Sequence, residues 1–318
     1  MYNKIERAVI EINGICNYKC TYCPKTESRG QFATFIPLTE YKRLLLQCVD
    51  IGIKVIQLEG SGEATLLPNL HEYIKATTDS NIFSHIYTNG YCLTKDNIKK
   101  YIESGLTYCR VSINGYNREN YKKNTGVDAF DRVLENCLYM KEYIEKYQLD
   151  TKLSLYHLIL DKNISEEEEV NLYRKNIIEK LNLPAEIWKT HNWGGFYENS
   201  NRKGLKKTCG RPFANEITIR AGGLDGRTLS MVPCCQTMGN DENSILGYCD
   251  MNSILEVFNS KEYNNLRNQH LLSQFDQIAS CKNCDFLYDD PTVLVWKNTN
   301  SYGNINQMNN TNIILKRN

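Results

Sequence analysis

The chain has 318 residues, 41% hydrophobic and 24% charged, with a formal net charge of +1 and an isoelectric point near 7.4. That length accommodates one large α/β domain and a smaller one, and so balanced a charge offers no bulk field for nucleic acid or an anionic membrane. No apolar run approaches the ~18 residues of a membrane span, and Met1 to Arg7 lacks the apolar core of a secretory signal. A cytoplasmic protein is expected, with its thirteen cysteines kept as thiols for metal or catalysis rather than joined as disulfides.

The first predicted strand covers 8–13 (AVIEIN), and a cysteine loop leaves its C-terminal end: Cys16-Asn17-Tyr18-Lys19-Cys20-Thr21-Tyr22-Cys23. The C-x3-C-x2-C spacing gathers three thiolates, as ligands to a soft metal centre or as a redox pair with a spare. Tetrahedral zinc would need a fourth ligand from elsewhere. A 4Fe–4S cluster held by three cysteines instead keeps one iron open for a small molecule. Pro37 to Ile51 has helical spacing, with Thr39 as N-cap and Gly52 as stop. Further strands are expected at Lys54–Leu58, Phe83–Tyr87, Tyr108–Ile113, Lys152–Leu160 and Glu186–Thr190. Helices at Leu70–Thr78, Thr94–Ser104, Phe130–Tyr147 and Glu166–Leu181 alternate with them. Glu59-Gly60-Ser61-Gly62-Glu63, Thr88-Asn89-Gly90, Asn114-Gly115 and His191-Asn192-Trp193-Gly194 each sit at a strand end.

Strands alternating with helices in this way argue parallel pairing through right-handed crossovers. The expected fold is α/β, a partial (β/α)6 barrel with its chemistry at the C-terminal strand ends. The style changes near 200–205, at the polar run Glu198–Lys203. Beyond it come Thr208–Phe213, strands at Glu216–Arg220 and Thr228–Val232, Pro233-Cys234-Cys235, a helix around Ser253–Leu272, and Cys281-Lys282-Asn283-Cys284. The barrel is expected over 1–200 and a small C-terminal α+β cluster-binding domain over 201–290. An Asn-rich tail, 291–318, is expected to fray apart from a strand at Thr292–Trp296. Cys48 and Cys137 read as core cysteines on apolar helix faces, and Glu166–Glu169 as charges complementing a helix N-terminus.

Taken in register, these motifs resemble the radical S-adenosylmethionine (SAM) superfamily over roughly 5–195. The resemblance rests on Cys16, Cys20 and Cys23 with Tyr22 before the last, Gly60-Ser61-Gly62-Glu63, Thr88–Gly90 and Ser112–Gly115; Ala64 stands where a proline is usual. It implies a 4Fe–4S cluster on the three cysteines whose open iron chelates SAM. Gly60, Ser61, Gly62 and Glu63 would then meet the methionine moiety, with Asn89 beside them, Ser112 and Asn114 on the ribose and Tyr22 near the adenine. Their plainer roles are a solvated acid for Glu63, strand-end caps for Ser112 and Asn114, and a core aromatic for Tyr22.

Residues 209–284 resemble the shortened SPASM or "twitch" extension of these enzymes, which holds one auxiliary 4Fe–4S cluster. Cys209, Cys234, Cys281 and Cys284 would supply its thiolates, Cys235 being the other choice within its pair and zinc the alternative metal. The implied partners are a reductant such as flavodoxin or ferredoxin and a small-molecule or peptide substrate. Oxidation of a sugar or aminocyclitol-like hydroxyl is expected, against peptide modification or epimerisation. Epimerisation needs a thiol outside both clusters, and Cys235 and Cys249, both expected near the auxiliary cluster, are the candidates. A non-catalytic iron–sulfur carrier or zinc-binding interaction protein would have no use for Glu63, Asn89 and Asn114.

Overall fold

The computed structural model describes residues 5–26, 34–197, 204–237, 242–288 and 294–297. The polar run at 198–203 and nearly all of the Asn-rich tail lie outside the described residues. The first half runs β1 (Arg7–Ile10), α1 (Leu38–Ile51), β2 (Val55–Leu58), α2 (Leu70–Asp79), β3 (Phe83–Thr88), α3 (Lys95–Glu103) and β4 (Tyr108–Ser112). It continues with α4 (Arg118–Thr125), α5 (Phe130–Tyr147), β5 (Lys152–Ile159), α6 (Glu166–Tyr173) and β6 (Ala185–Lys189). Strands β7 (Glu216–Gly222), β8 (Thr228–Val232), β9 (Gly247–Tyr248) and β10 (Leu294–Lys297) complete one sheet in the order β10-β6-β5-β4-β3-β2-β1-β7-β8-β9. β1 to β6 are mutually parallel, as the alternation requires.

β7 also pairs in parallel with β1, Arg7 opposite Glu216, so the cysteine-rich C-terminal segment is grafted onto the barrel sheet rather than standing apart. β8 and β9 continue antiparallel, and among the described residues the sheet does not close on itself. Local sequence explains the element ends. Gly52 takes a left-handed φ of 87° and returns its N–H to Cys48 and Val49, a stop that a residue with a Cβ would strain. Thr94 caps α3 through Asn97 N–H, and Ser165 caps α6 through Glu168 N–H.

Four expectations are corrected. Helix α1 begins behind Pro37 without a side-chain cap, because the proline's fixed φ already suits a helix entry; Thr39 lies inside. The helix expected over Ser253–Leu272 is two, Ile254–Phe258 and Lys261–Leu271, since Ser260 accepts from Tyr263 N–H and starts a second turn. The segment after α6 widens into a π turn over Arg174–Ile178. Glu169 is fully buried, accepting from Leu160 N–H, Asp161 N–H and the His157 ring, while Glu166 to Glu168 stay exposed at the helix start.

Candidate active site

A cavity of about 260 Å³ opens at the C-terminal ends of the parallel strands. Cys16, Cys20 and Tyr22 line it from the loop after β1, Gly60, Gly62 and Glu63 from the turn after β2, and Asn89, Ser112 and Asn114 from β3 and β4. The burial pattern of β4 explains its share. Cys109 and Val111 face the helices, leaving Arg110 and Ser112 on the cavity side.

The cysteine loop is held from several directions. Asn89 Nδ2 donates to Asn17 Oδ1 at 2.8 Å, Trp193 Nε1 to the Tyr22 carbonyl at 2.7 Å, and the Tyr18 and Tyr121 hydroxyls bond at 2.7 Å. Lys19 N–H and Thr21 N–H donate to the carbonyls of Thr125 and Asn124, at the end of α4. That helix has no apolar stripe in its sequence, RENYKKNT, which is why periodicity overlooks it; its work is to brace the loop. Asn114 donates from Nδ2 to the Tyr22 hydroxyl and accepts from Leu158 N–H at 2.8 Å. The asparagine thus sets the tyrosine ring in the cavity wall.

Glycines at 60 and 62 answer to this loop. A Cβ on Gly62 would lie 2.1 Å from the Asn13 carbonyl oxygen, and one on Gly60 2.2 Å from Glu11. Two motifs far apart in sequence therefore pack backbone to backbone. Glu63 N–H donates to Ile15 O at 2.7 Å, and Asn13 Nδ2 to Glu63 O at 2.8 Å. Ser61 turns away, its hydroxyl donating to Glu11 at 2.6 Å. Glu63 is not a solvated acid. Buried at 3% exposure, its Oε1 accepts from Thr65 and Thr88 and its Oε2 from Asn89 N–H at 2.7 Å. Burial still lifts its carboxyl above the ordinary range, against those bonds.

Burial pushes the thiols of Cys16 and Cys20 up to about 12, and Cys23 adds to both. Thiols so placed stay protonated unless a cation joins them, and iron supplies that charge. Three sulfurs on one braced loop beside an open cavity fit a cluster with one free iron. No three ligating side chains among the described residues close on a single ion; cysteines around a four-iron cube stand farther apart than those around one zinc.

A second group gathers Cys209, Cys234, Cys281 and Cys284, each within electrostatic reach of others in the set. Cys284 packs with Phe275, Phe286 and Leu287. Burial lifts Cys209 to about 11 and Cys284 to about 12, so this dry set fits a second cluster by the same argument. Cys235 points elsewhere: it lines the barrel cavity and accepts from Arg211 Nη1 at 2.8 Å. Cys249 is fully buried beside Cys48, outside the cavity lining, which corrects the expectation that it lies near the auxiliary cysteines.

The cavity also holds Glu59, the first residue of its strand-end motif, and Tyr87, Arg110, Tyr156, Arg220 and Gln236, which no motif marks. His191 and Trp193 reach the cavity, while Asn192 between them ties its N–H to Asp285 and its amide to Asn283 O. Burial lifts Glu59 to about 7, Arg110 opposing. Ionising Glu59 therefore costs the folded state more than the unfolded one. That penalty is absent below the ordinary carboxylate value, grows as pH rises toward about 7, and is constant above. Glu59→Gln is expected to raise the melting temperature by roughly 2–6 °C at pH 8 and scarcely at pH 5. A gain equal at both would contradict this.

Fold and site together define a partial α/β barrel with a three-thiol loop at its mouth and a four-thiol group beside it. Residues 10–173 match the radical SAM superfamily, and residues 223–285 match SPASM, an iron–sulfur cluster-binding domain. The chain belongs to the radical SAM superfamily, with a C-terminal SPASM-type cluster domain. Its cofactors are a SAM-binding 4Fe–4S cluster, an auxiliary cluster and SAM.

Among curated relatives, a probable GTP 3',8-cyclase of Thermococcus kodakarensis is 29% identical over 154 residues, 47% of this chain and 50% of that protein. One from Saccharolobus islandicus is 35% identical over 134 residues, 41% of this chain and 42% of that protein. The chain thus spans about half the length of these relatives. Among solved structures, BtrN in complex with AdoMet and 2-DOIA aligns at TM-score 0.60 and 18% identity, covering 90% of this chain and 94% of that one. Streptococcus suis SuiB bound to precursor peptide SuiA aligns at TM-score 0.67 and 14% identity, covering 90% and 70%. At such identities the likeness is one of fold.

Proposed function

We propose that this radical SAM enzyme is a dehydrogenase, oxidising a hydroxyl on a sugar or aminocyclitol-like substrate. The observation that carries the reading is Cys235 and Gln236 lining the same cavity as Cys16 and Cys20, with Cys234 of the four-thiol group next in the chain. Oxidising a carbinol removes one hydrogen atom, one proton and one electron, and the third needs an acceptor near the substrate. Cys209, Cys234, Cys281 and Cys284 would hold that acceptor. Cys16, Cys20 and Cys23 would hold the first cluster, fed by an external reductant of the flavodoxin or ferredoxin kind. When bound, cluster and SAM supply a reductive sulfonium cleavage whose carbon radical takes hydrogen from the substrate.

The chain's part is placement. Glu63 Oε2 keeps a lone pair beyond its Asn89 bond and would meet the SAM ammonium. Tyr22, set by Asn114, would flank the adenine, and Ser112 the ribose. Glu63→Gln keeps the shape and loses the charge, so a roughly 10- to 100-fold rise in the SAM dissociation constant is expected. Unchanged affinity by equilibrium titration, with iron content retained, would remove Glu63 from the SAM site.

The reading is tested by anaerobic incubation with SAM, reductant and candidate polyols, aminocyclitols and peptides. A product two mass units lighter, formed in step with 5′-deoxyadenosine, is expected from a hydroxylated ring. An unchanged or heavier mass would sink it. Epimerisation is the second reading, favoured by the Cys235 thiol in the cavity, where it could return a hydrogen atom to a carbon radical.

A further inference from the structure

Arg110 stands out among the cavity side chains. Its guanidinium is sandwiched between aromatic faces, 3.7 Å from the Tyr87 ring centre and 4.7 Å from that of Tyr156. Its Nε is buried without a hydrogen-bond partner, and the Glu186 carboxylate lies 3.9 Å from Nη1, beyond hydrogen-bond reach. Contrast Arg220 on the same cavity, which donates to Thr237 O at 3.0 Å, Cys235 O at 2.7 Å and Glu11 at 3.3 Å. Arg220 is structural. Arg110 is held rigidly by its rings with donors to spare, and buried donors left unmade are costly.

Glu59 lines the same cavity, accepts one bond, from Gln57 Nε2 at 3.2 Å to Oε1, and feels the Arg110 charge. The cavity therefore offers a fork of donors and a carboxylate acceptor within electrostatic reach of each other. A lone anion would satisfy the first and be repelled by the second.

We infer that Glu59 and Arg110 form the subsite that reads the substrate, taking a vicinal pair of hydroxyls or a hydroxyl with a neighbouring ammonium. Arg110 donates to a ligand oxygen while Glu59 accepts from the adjacent O–H or N–H, and the faces of Tyr87 and Tyr156 keep the fork in plane. This rests on the dehydrogenase reading for the substrate class, and it adds which residues select it. Carboxylate- or phosphate-bearing substrates are disfavoured because Glu59 stands where their charge would lie.

The test uses the reconstituted holoenzyme with SAM, the probes glucosamine, myo-inositol, inorganic phosphate and acetate, and equilibrium dialysis under anaerobic conditions. Glucosamine and myo-inositol are expected to bind the parent, and Arg110→Gln and Glu59→Gln each to weaken them roughly tenfold or more. Arg110→Lys, keeping charge without the fork, should recover only part. Iron content reports the fold, and Glu59→Gln carries the test if Arg110→Gln does not fold. The inference is overturned if neither polyol binds the parent, or if parent and variants bind them alike. It is also overturned if phosphate or acetate binds the parent more tightly than the polyols do, or if Glu59→Gln leaves anion binding unchanged. If the binding contrast holds but no product two mass units lighter forms, the dehydrogenase reading fails alone. If that product forms equally in both variants, the subsite fails alone.

Discussion

Replacing Cys16, Cys20 and Cys23 together by alanine is expected to halve the iron of the reconstituted protein, from about eight atoms per chain to about four, and to abolish SAM cleavage. The expectation follows from geometry. The loop is braced by Asn89, Trp193, Tyr121 and the end of α4 through hydrogen bonds that do not involve the sulfurs. The triple variant should therefore keep its shape and lose only its ligands. Circular dichroism should match the parent, while 5′-deoxyadenosine disappears to the limit of detection. Residual cleavage by the triple variant would mean that other residues hold the cluster that binds SAM. Zinc instead of iron in the parent would remove the chemistry altogether.

Replacing Cys281 and Cys284 should separate the two halves of the reaction. These cysteines pack among Phe275, Phe286 and Leu287 and do not line the cavity that would hold SAM, so 5′-deoxyadenosine should still form. Substrate oxidation needs the second acceptor and is expected to fall at least ~100-fold, an effect of about 2.7 kcal/mol or more on the barrier. Iron should again fall by half. Equal loss of cleavage and oxidation would show that the second group supports the fold rather than the electron's exit.

Much of the site was legible because its chemistry is concentrated in short runs. Cys16–Cys23 and Gly60–Glu63 lie at strand ends whose order follows from simple alternation, and β4 shows Arg110 and Ser112 on the cavity side by period two alone. What escaped depends on long-range packing. The demand for glycine at 62 comes from the backbone of Asn13 to Ile15, which no local pattern reveals. Helix α4 is polar along its length and is held by Asn117 capping and by the cysteine loop. Glu59 looked like the first residue of a motif; its burial and its position beside Arg110 exist only once β2 and β4 are in register around β3. Cys234 and Cys235 are adjacent in sequence yet serve different surroundings, because they lie in the turn after β8 rather than in a regular strand whose alternation could be read.

The central claim, oxidation through an acceptor beside the cavity, is tested most directly by running the reaction in deuterated water with the parent and Cys235→Ala. The account predicts a product two mass units lighter, without deuterium on carbon, and formed by both proteins. A product carrying one solvent deuterium at carbon, lost in Cys235→Ala, would contradict it and make Cys235 the hydrogen donor of an epimerase.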